Sequence, residues 1–145
     1  MIRSLYIMSP GGVPVYYYDR ILQEDKVADA ILFTALITAI KNFMIETDVG
    51  EPEVFSTKTR EVYLESTDCF SVALIKDVDD TIHTTIVKGL LSDLTSELYF
   101  VLGDDQACNV IDLEQAEMVK DIADLVINEW EKKIELERKE KEEKE

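Results

Sequence analysis

The sequence predicts an α/β (α+β) fold, a three-layer α/β/α sandwich around a five-stranded antiparallel sheet. Three observations predict it. A Gly-Gly turn joins two strand-like segments at the start of the chain, and a long apolar helical segment follows directly. Three short strand-like segments come next, separated by short loops that favour hairpin connections, before two more helical segments. The expected order is β-β-α-β-β-β-α-α, with the first helix on one sheet face and the last two on the other.

The opening hairpin is predicted from strands over residues 2–8 and 13–18 around the turn Ser9-Pro10-Gly11-Gly12. Glycine supplies the positive φ that a tight hairpin needs. The turn is not a phosphate-binding loop, because no G-x-x-x-x-G-K-[ST] pattern follows it. Strand alternation places Tyr16 and Tyr17 on opposite sheet faces, which favours packing under helices on both faces.

The first helix is predicted over residues 25–47 and is unusually apolar. A helical wheel shows one apolar stripe of Leu32, Leu36, Ile40 and Phe43 and an adjacent apolar stripe of Phe33, Ile37, Ile40 and Met44. The opposite, more polar side carries Thr34, Thr38, Lys41 and Asn42. The apolar arc covers more than half the circumference, whereas a helix on one sheet face needs an arc of only about 100°. Either other elements of the chain or another protein must cover the excess.

The second half of the chain supplies the remaining elements. Strands are predicted at about 53–57, 61–67 and 71–76, and helices at 81–102 and from residue 112 onward. The inward-facing residues expected on the last helix are Leu113, Met118, Ile122, Leu125, Val126, Trp130 and Ile134. The residues after Ile134 are almost all charged, so we expect a domain over 1–130 and a charged helical extension over 131–145 that runs into solvent.

The chain is strongly acidic, with a formal net charge of −16 over 145 residues. Residues 1–128 carry most of it, because acids and bases nearly balance from residue 129 onward. This charge argues against nucleic acid or an anionic membrane as a direct partner. No apolar run is long enough to span a membrane, so we expect a cytoplasmic protein without direct membrane insertion. A basic partner surface would be attracted over long range, although solubility also explains such a charge.

No motif in the sequence indicates catalysis. His83 is the only histidine, and Asp79-Asp80 beside it lacks the spaced oxygen ligands and the glycine of a calcium loop. Cys69 and Cys108 have no C-x-x-C spacing; reduced thiols are the simplest interpretation, and a disulfide between them stays open. We therefore expect no enzyme activity, no catalytic or metal-binding residue and no cofactor.

The chain resembles the longin domain family, within the longin/roadblock-like superfamily, over residues 1–130. The matching parts are the hairpin of residues 5–16, the direct long helix 25–47, and the strand pair 61–76 followed by helix 81–102. The related roadblock family shares this layout but usually has a helix before the first strand, which we do not expect here. The resemblance implies that the first helix and the sheet edge beside it serve for dimerisation or for holding a small GTPase.

The sequence therefore favours a non-enzymatic longin-like protein-interaction module. Its expected setting is a homodimer, or one subunit with a related longin or roadblock subunit, in an assembly that regulates a small GTPase or serves vesicle trafficking. The residues expected at the partner interface are Phe33, Ile37, Lys41, Met44 and Phe55. The alternatives are a PAS-like domain that senses a small molecule and a roadblock-like GTPase regulator.

Overall fold

The structure, a computed structural model, describes residues 3–19, 26–80, 84–102 and 112–144. Its elements are β1 (Ser4–Met8), β2 (Pro14–Asp19), α1 (Lys26–Glu46), β3 (Val54–Ser56), β4 (Arg60–Ser66), β5 (Ser71–Asp77), α2 (Thr84–Leu102) and α3 (Leu113–Lys144). The predicted order of elements is confirmed.

The five strands form one sheet in the order β2-β1-β5-β4-β3. Every neighbouring pair is antiparallel, which confirms the predicted sheet type. The first strand lies inside the sheet, since β1 pairs with β2 on one side and with β5 on the other. The two edges are β2 and β3.

Helices cover both faces of the sheet, as the predicted three-layer sandwich requires. Leu5 and Ile7 of β1 are buried in a cluster that includes residues of α2 and α3. The alternate residues Tyr6 and Met8 are buried in a second cluster, which includes residues of α1. The period-2 alternation of β1 thus supplies both cores.

The β1–β2 turn lies directly against α1. The Gly12 amide donates to the Ser9 carbonyl oxygen at 3.0 Å, and Gly12 has a φ of 85°. A Cβ added at Gly12 would lie 2.9 Å from the Thr38 hydroxyl oxygen and 3.3 Å from the Thr34 carbonyl oxygen. Glycine is therefore required at this position for its backbone conformation and for the close approach of the helix.

The threonines of α1 face the sheet, although the sequence placed them on the outer, polar side of the helix. Thr34 is fully buried, and its hydroxyl donates to the Ala30 carbonyl oxygen at 2.9 Å. Thr38 lies over the sheet, with its hydroxyl 3.7 Å from the Met8 sulfur. The hydroxyl of Thr34 is satisfied within the helix, so its burial leaves no polar group unpaired.

A buried polar cluster fastens β4 and β5 to the loop before α2. The Lys76 ammonium lies 3.1 Å from a Glu61 carboxylate oxygen and donates to the Asp80 carbonyl oxygen at 3.1 Å. The Tyr63 hydroxyl donates to the other Glu61 oxygen at 2.9 Å. The hydrogen bonds from Lys76 and then Tyr63 lower the pKa of Glu61. These contacts occupy Lys76 and give the cluster a structural role.

The buried side of α3 matches the predicted one in part. Val126 and Ile134 are buried as expected, and Ile122 and Trp130 are half-buried against the core. Val119, Ala123 and Ile127 are buried although the pattern did not predict it. Leu113, Met118 and Leu125 are exposed instead. The reason is that α3 packs against both α2 and β2, and the Tyr16 hydroxyl of β2 donates to Asp124 at 2.7 Å.

The charged extension begins as a packed helix. Residue 130, the predicted boundary, lies inside α3 without a break. Ile134 is only 6% exposed, and the Arg138 guanidinium lies 2.8 Å from the Asp80 carboxylate. Packing against the rest of the chain therefore continues into the extension. Within the described part of the chain, no helix is both long and apolar enough to cross a membrane.

Candidate interaction surface on the first helix

The outer side of α1 is an exposed apolar stripe. Leu32 is 70% exposed and Phe43 is 66% exposed, and Leu36 between them is also exposed. Their spacing of four and seven residues places them on one side of the helix. Ala35 and Ala39 fill the gaps and are exposed as well. We call these five residues the α1 stripe.

The α1 stripe is almost free of charge. Residues 30–40 contain no charged side chain. Asp29 precedes the stripe in the first turn, and Glu46 follows it at the last residue of the helix. Lys41 is turned toward Glu51, with its ammonium 3.7 Å from the carboxylate. A neutral apolar surface on a chain of net charge −16 is the kind of patch that marks a protein contact.

Two of the predicted interface residues face the chain's own sheet. Ile37 is 4% exposed and belongs to the core between α1 and the sheet. Phe33 packs on the same core, with its ring centroid 4.5 Å from that of Tyr6. The structure therefore brings Phe33 and Ile37 together as core residues of the single chain, and the open stripe lies on the neighbouring side of the helix.

The other three predicted residues border this core. Met44 is half-buried, and Lys41 is held by its ion pair with Glu51. Phe55 of β3 is half-buried against the core under α1. A contact of these residues with a partner stays a prediction.

The edge strand β3 lies on the same side of the molecule as this core, since Phe55 packs there. Among the described residues, β3 pairs with β4 alone. An edge strand offers unpaired backbone donors and acceptors to another chain. The α1 stripe is thus an open apolar surface and the β3 edge an open hydrogen-bonding surface, and β2 forms the other edge of the sheet.

Sequence reasoning named Leu32, Leu36 and Phe43 as one apolar stripe, but it placed the partner interface on the adjacent stripe because it treated the threonines as outward-facing. Ala30 and Thr34 are small or compact residues opposite the turn that contains Gly12. Small residues at helical spacing permit a close approach between a helix and the backbone beneath it. This pattern in the sequence indicates that Ala30 and Thr34 face the sheet, which places Leu32 and Phe43 on the outer side of the helix.

The residues considered for chemistry contribute no site to the described structure. His83 and Cys108 lie outside the described residues. Cys69 is buried and disulfide-bonded, so the expectation of a reduced thiol is wrong for this residue. Within the described ranges, no group of His, Cys, Asp and Glu side chains could hold a metal ion.

Neither protein-family models nor curated proteins match the chain. Among solved structures, a Roadblock/LC7 domain from Streptomyces avermitilis is similar, with 14% identity and a TM-score of 0.56 over 70% of this chain and 85% of that one. Myxococcus xanthus MglB is similar with 12% identity and a TM-score of 0.50, over 66% of this chain and 81% of that one.

These likenesses show the fold. The chain shares its α+β architecture with a Roadblock/LC7 domain. The expected place in the longin/roadblock-like superfamily is a prediction. Membership of the longin family in particular stays a prediction.

Proposed function

We propose that this protein is a non-enzymatic interaction module of the longin/roadblock-like kind. It works in the cytoplasm as a homodimer, or with a related subunit, and regulates a small GTPase. The observation that carries the proposal is the α1 stripe, since three large apolar side chains of α1 face away from its own sheet. An isolated chain gains nothing from this arrangement, whereas a chain with a partner buries the stripe.

Energetics favour a second copy on the stripe. Full burial of a leucine or phenylalanine side chain is worth about 1.5–3 kcal/mol. A two-fold contact buries Leu32, Leu36 and Phe43 from both chains. The free energy gained by burying these side chains is comparable to the cost of association, about 4–15 kcal/mol. The neutral stripe also lets two acidic chains meet without placing carboxylates in contact. Pairing along the β3 edge would extend the contact.

The proposed role in an assembly that regulates a small GTPase or serves vesicle trafficking rests on the family resemblance and the shared fold. In such an assembly the partner supplies the nucleotide chemistry and this protein supplies surface and shape. The PAS-like alternative gains no support from the described core, because Leu74, Leu94 and Val119 belong to one cluster of buried hydrophobic side chains between the sheet and α2 and α3.

The interface is tested by size-exclusion chromatography with light scattering over a range of protein concentrations. We expect a dimer for the natural sequence and a monomer for the double variant Leu36→Glu, Phe43→Glu. The charges in this variant should weaken association at least about tenfold. Leu136→Glu is the matched control, because Leu136 is a similarly exposed helical leucine elsewhere. A monomeric natural chain, or equal dissociation of the control, would contradict the interface.

The regulatory role needs a second measurement. GTP hydrolysis and nucleotide release by small GTPases from the same genome should change when the protein is added. A stable dimer that binds none of them and changes neither rate would retain the interface and reject GTPase regulation.

A further inference from the structure

A second open surface lies on the opposite side of the sheet, in a groove between α2 and α3. Its volume is about 330 Å³. Its apolar lining, which we call the floor, consists of Ile122, Leu125, Val126 and Trp130. The rim consists of Asp93 and Glu97 on α2 and Glu129 on α3. We call this surface the α2–α3 groove.

The apolar floor continues beyond the groove toward the C-terminal end of α2 and the N-terminal end of α3. Phe100 lies one turn after Glu97 on the same side of α2 and is 84% exposed. Met118 lies one turn before Ile122 on the same side of α3 and is also exposed. The floor therefore extends along α3 from Met118 to Leu125, about 10 Å at the rise of an α-helix.

The charge of the residues that line the groove indicates which kind of partner binds there. The residues that line the groove carry three carboxylates and no base. Lys133 lies over the Trp130 ring, 4.8 Å from its centroid, at the far end. A second copy of the chain would bring a net charge of −16 toward this acidic rim. The basic residues of this chain's own extension belong to the continuous helix α3, so they cannot fold back into the groove.

We propose that the α2–α3 groove binds a basic amphipathic helix of another protein. Apolar side chains of that helix at positions i, i+3, i+4 and i+7 lie on the floor around Leu125. Its lysines or arginines face Asp93, Glu97 and Glu129, which fixes the orientation and raises the association rate. Nucleic acid and anionic lipid are excluded as occupants, because the rim repels them.

The groove and the α1 stripe are independent sites. They lie on opposite faces of the sheet, so a partner on one leaves the other accessible. The stripe is neutral and suits another acidic chain, whereas the groove has an acidic rim and selects a basic one. The protein can therefore join two different partners through one domain.

The test uses the full chain and a labelled synthetic helix of about 18 residues, five turns, with leucines on one side and lysines on the other. Fluorescence anisotropy measures its affinity. We expect saturable binding that Leu125→Gln weakens about tenfold. The triple variant Asp93→Asn, Glu97→Gln, Glu129→Gln should weaken binding by a similar factor and flatten its dependence on salt.

Matched controls separate the groove from general charge attraction. The variant Glu140→Gln, Glu142→Gln, Glu143→Gln removes the same number of charges from the exposed tail and should bind as the natural chain does. A peptide with glutamate in place of lysine should not bind. Leu36→Glu, Phe43→Glu should bind normally, since the stripe lies elsewhere. Absence of binding, or equal weakening by the tail variant and the rim variant, would overturn the proposal.

Discussion

At the residue scale, one hydrogen bond joins the edge strand β2 to α3. The Tyr16 hydroxyl donates to the Asp124 carboxylate at 2.7 Å. Burial, followed by the hydrogen bond and the charge of Asp124, raises the pKa of Tyr16 far above its ordinary value. The folded chain therefore holds a neutral phenol more tightly than the unfolded chain does. This contribution to stability is complete below the ordinary tyrosine pKa of about 10 and is lost as the pH rises above it.

The variant Tyr16→Phe should lower the free energy of unfolding by about 1 kcal/mol at neutral pH, because it removes the hydrogen bond. It should also lose less stability than the natural chain between about pH 10 and pH 12, since position 16 then carries no phenol that can ionise. Urea unfolding at several pH values measures both effects. Tyr17→Phe is the control, because Tyr17 is more exposed. An unchanged alkaline slope in Tyr16→Phe would show that other groups cause the loss.

At the element scale, two apolar residues at the start of the charged extension of α3 differ in burial. Ile134 is 6% exposed and Leu136, two residues later, is 61% exposed. Ile134→Ala should lower the free energy of unfolding by about 2–5 kcal/mol, as for a buried isoleucine in a core. Leu136→Ala should change it by no more than about 0.5 kcal/mol. Thermal and urea unfolding measure the difference, and equal effects would place the domain boundary before residue 131.

Local patterns predicted which elements form better than which side of each helix is buried. Strand alternation in β1 and the Gly-Gly turn depend on neighbouring residues, so the sequence contains the information directly. The orientation of α1 depends on Gly12, which lies far from Thr34 along the chain and beneath it in space. The same limit applies to α3, where Leu125 is exposed because α2 and β2 together determine the packed side. The sequence predicted the excess of apolar surface and named Leu32, Leu36 and Phe43 as one stripe, but it could not show which of the two stripes stays open.

At the scale of the whole molecule, the net charge of −16 should make the two proposed contacts respond oppositely to salt. Added salt screens the repulsion between two copies, so dimerisation through the α1 stripe should strengthen. The same screening weakens attraction between the α2–α3 groove and a basic helix. Light scattering and anisotropy at about 0.05 M and 0.5 M salt compare the two. A common direction of change would show that one of the contacts has the wrong electrostatic character.

The position of β1 within the sheet also determines when its two hydrogen-bonding edges find partner strands during synthesis. Its register with β5 pairs Ser4 with Ile75, so one side of β1 has no strand partner until residue 71 and those after it have been synthesised. The N-terminal hairpin and α1 are complete long before that point. During this interval the nascent chain exposes both an open strand edge and the α1 stripe. Synthesis of β5 closes the first of these surfaces, and the second stays exposed unless the proposed partner binds.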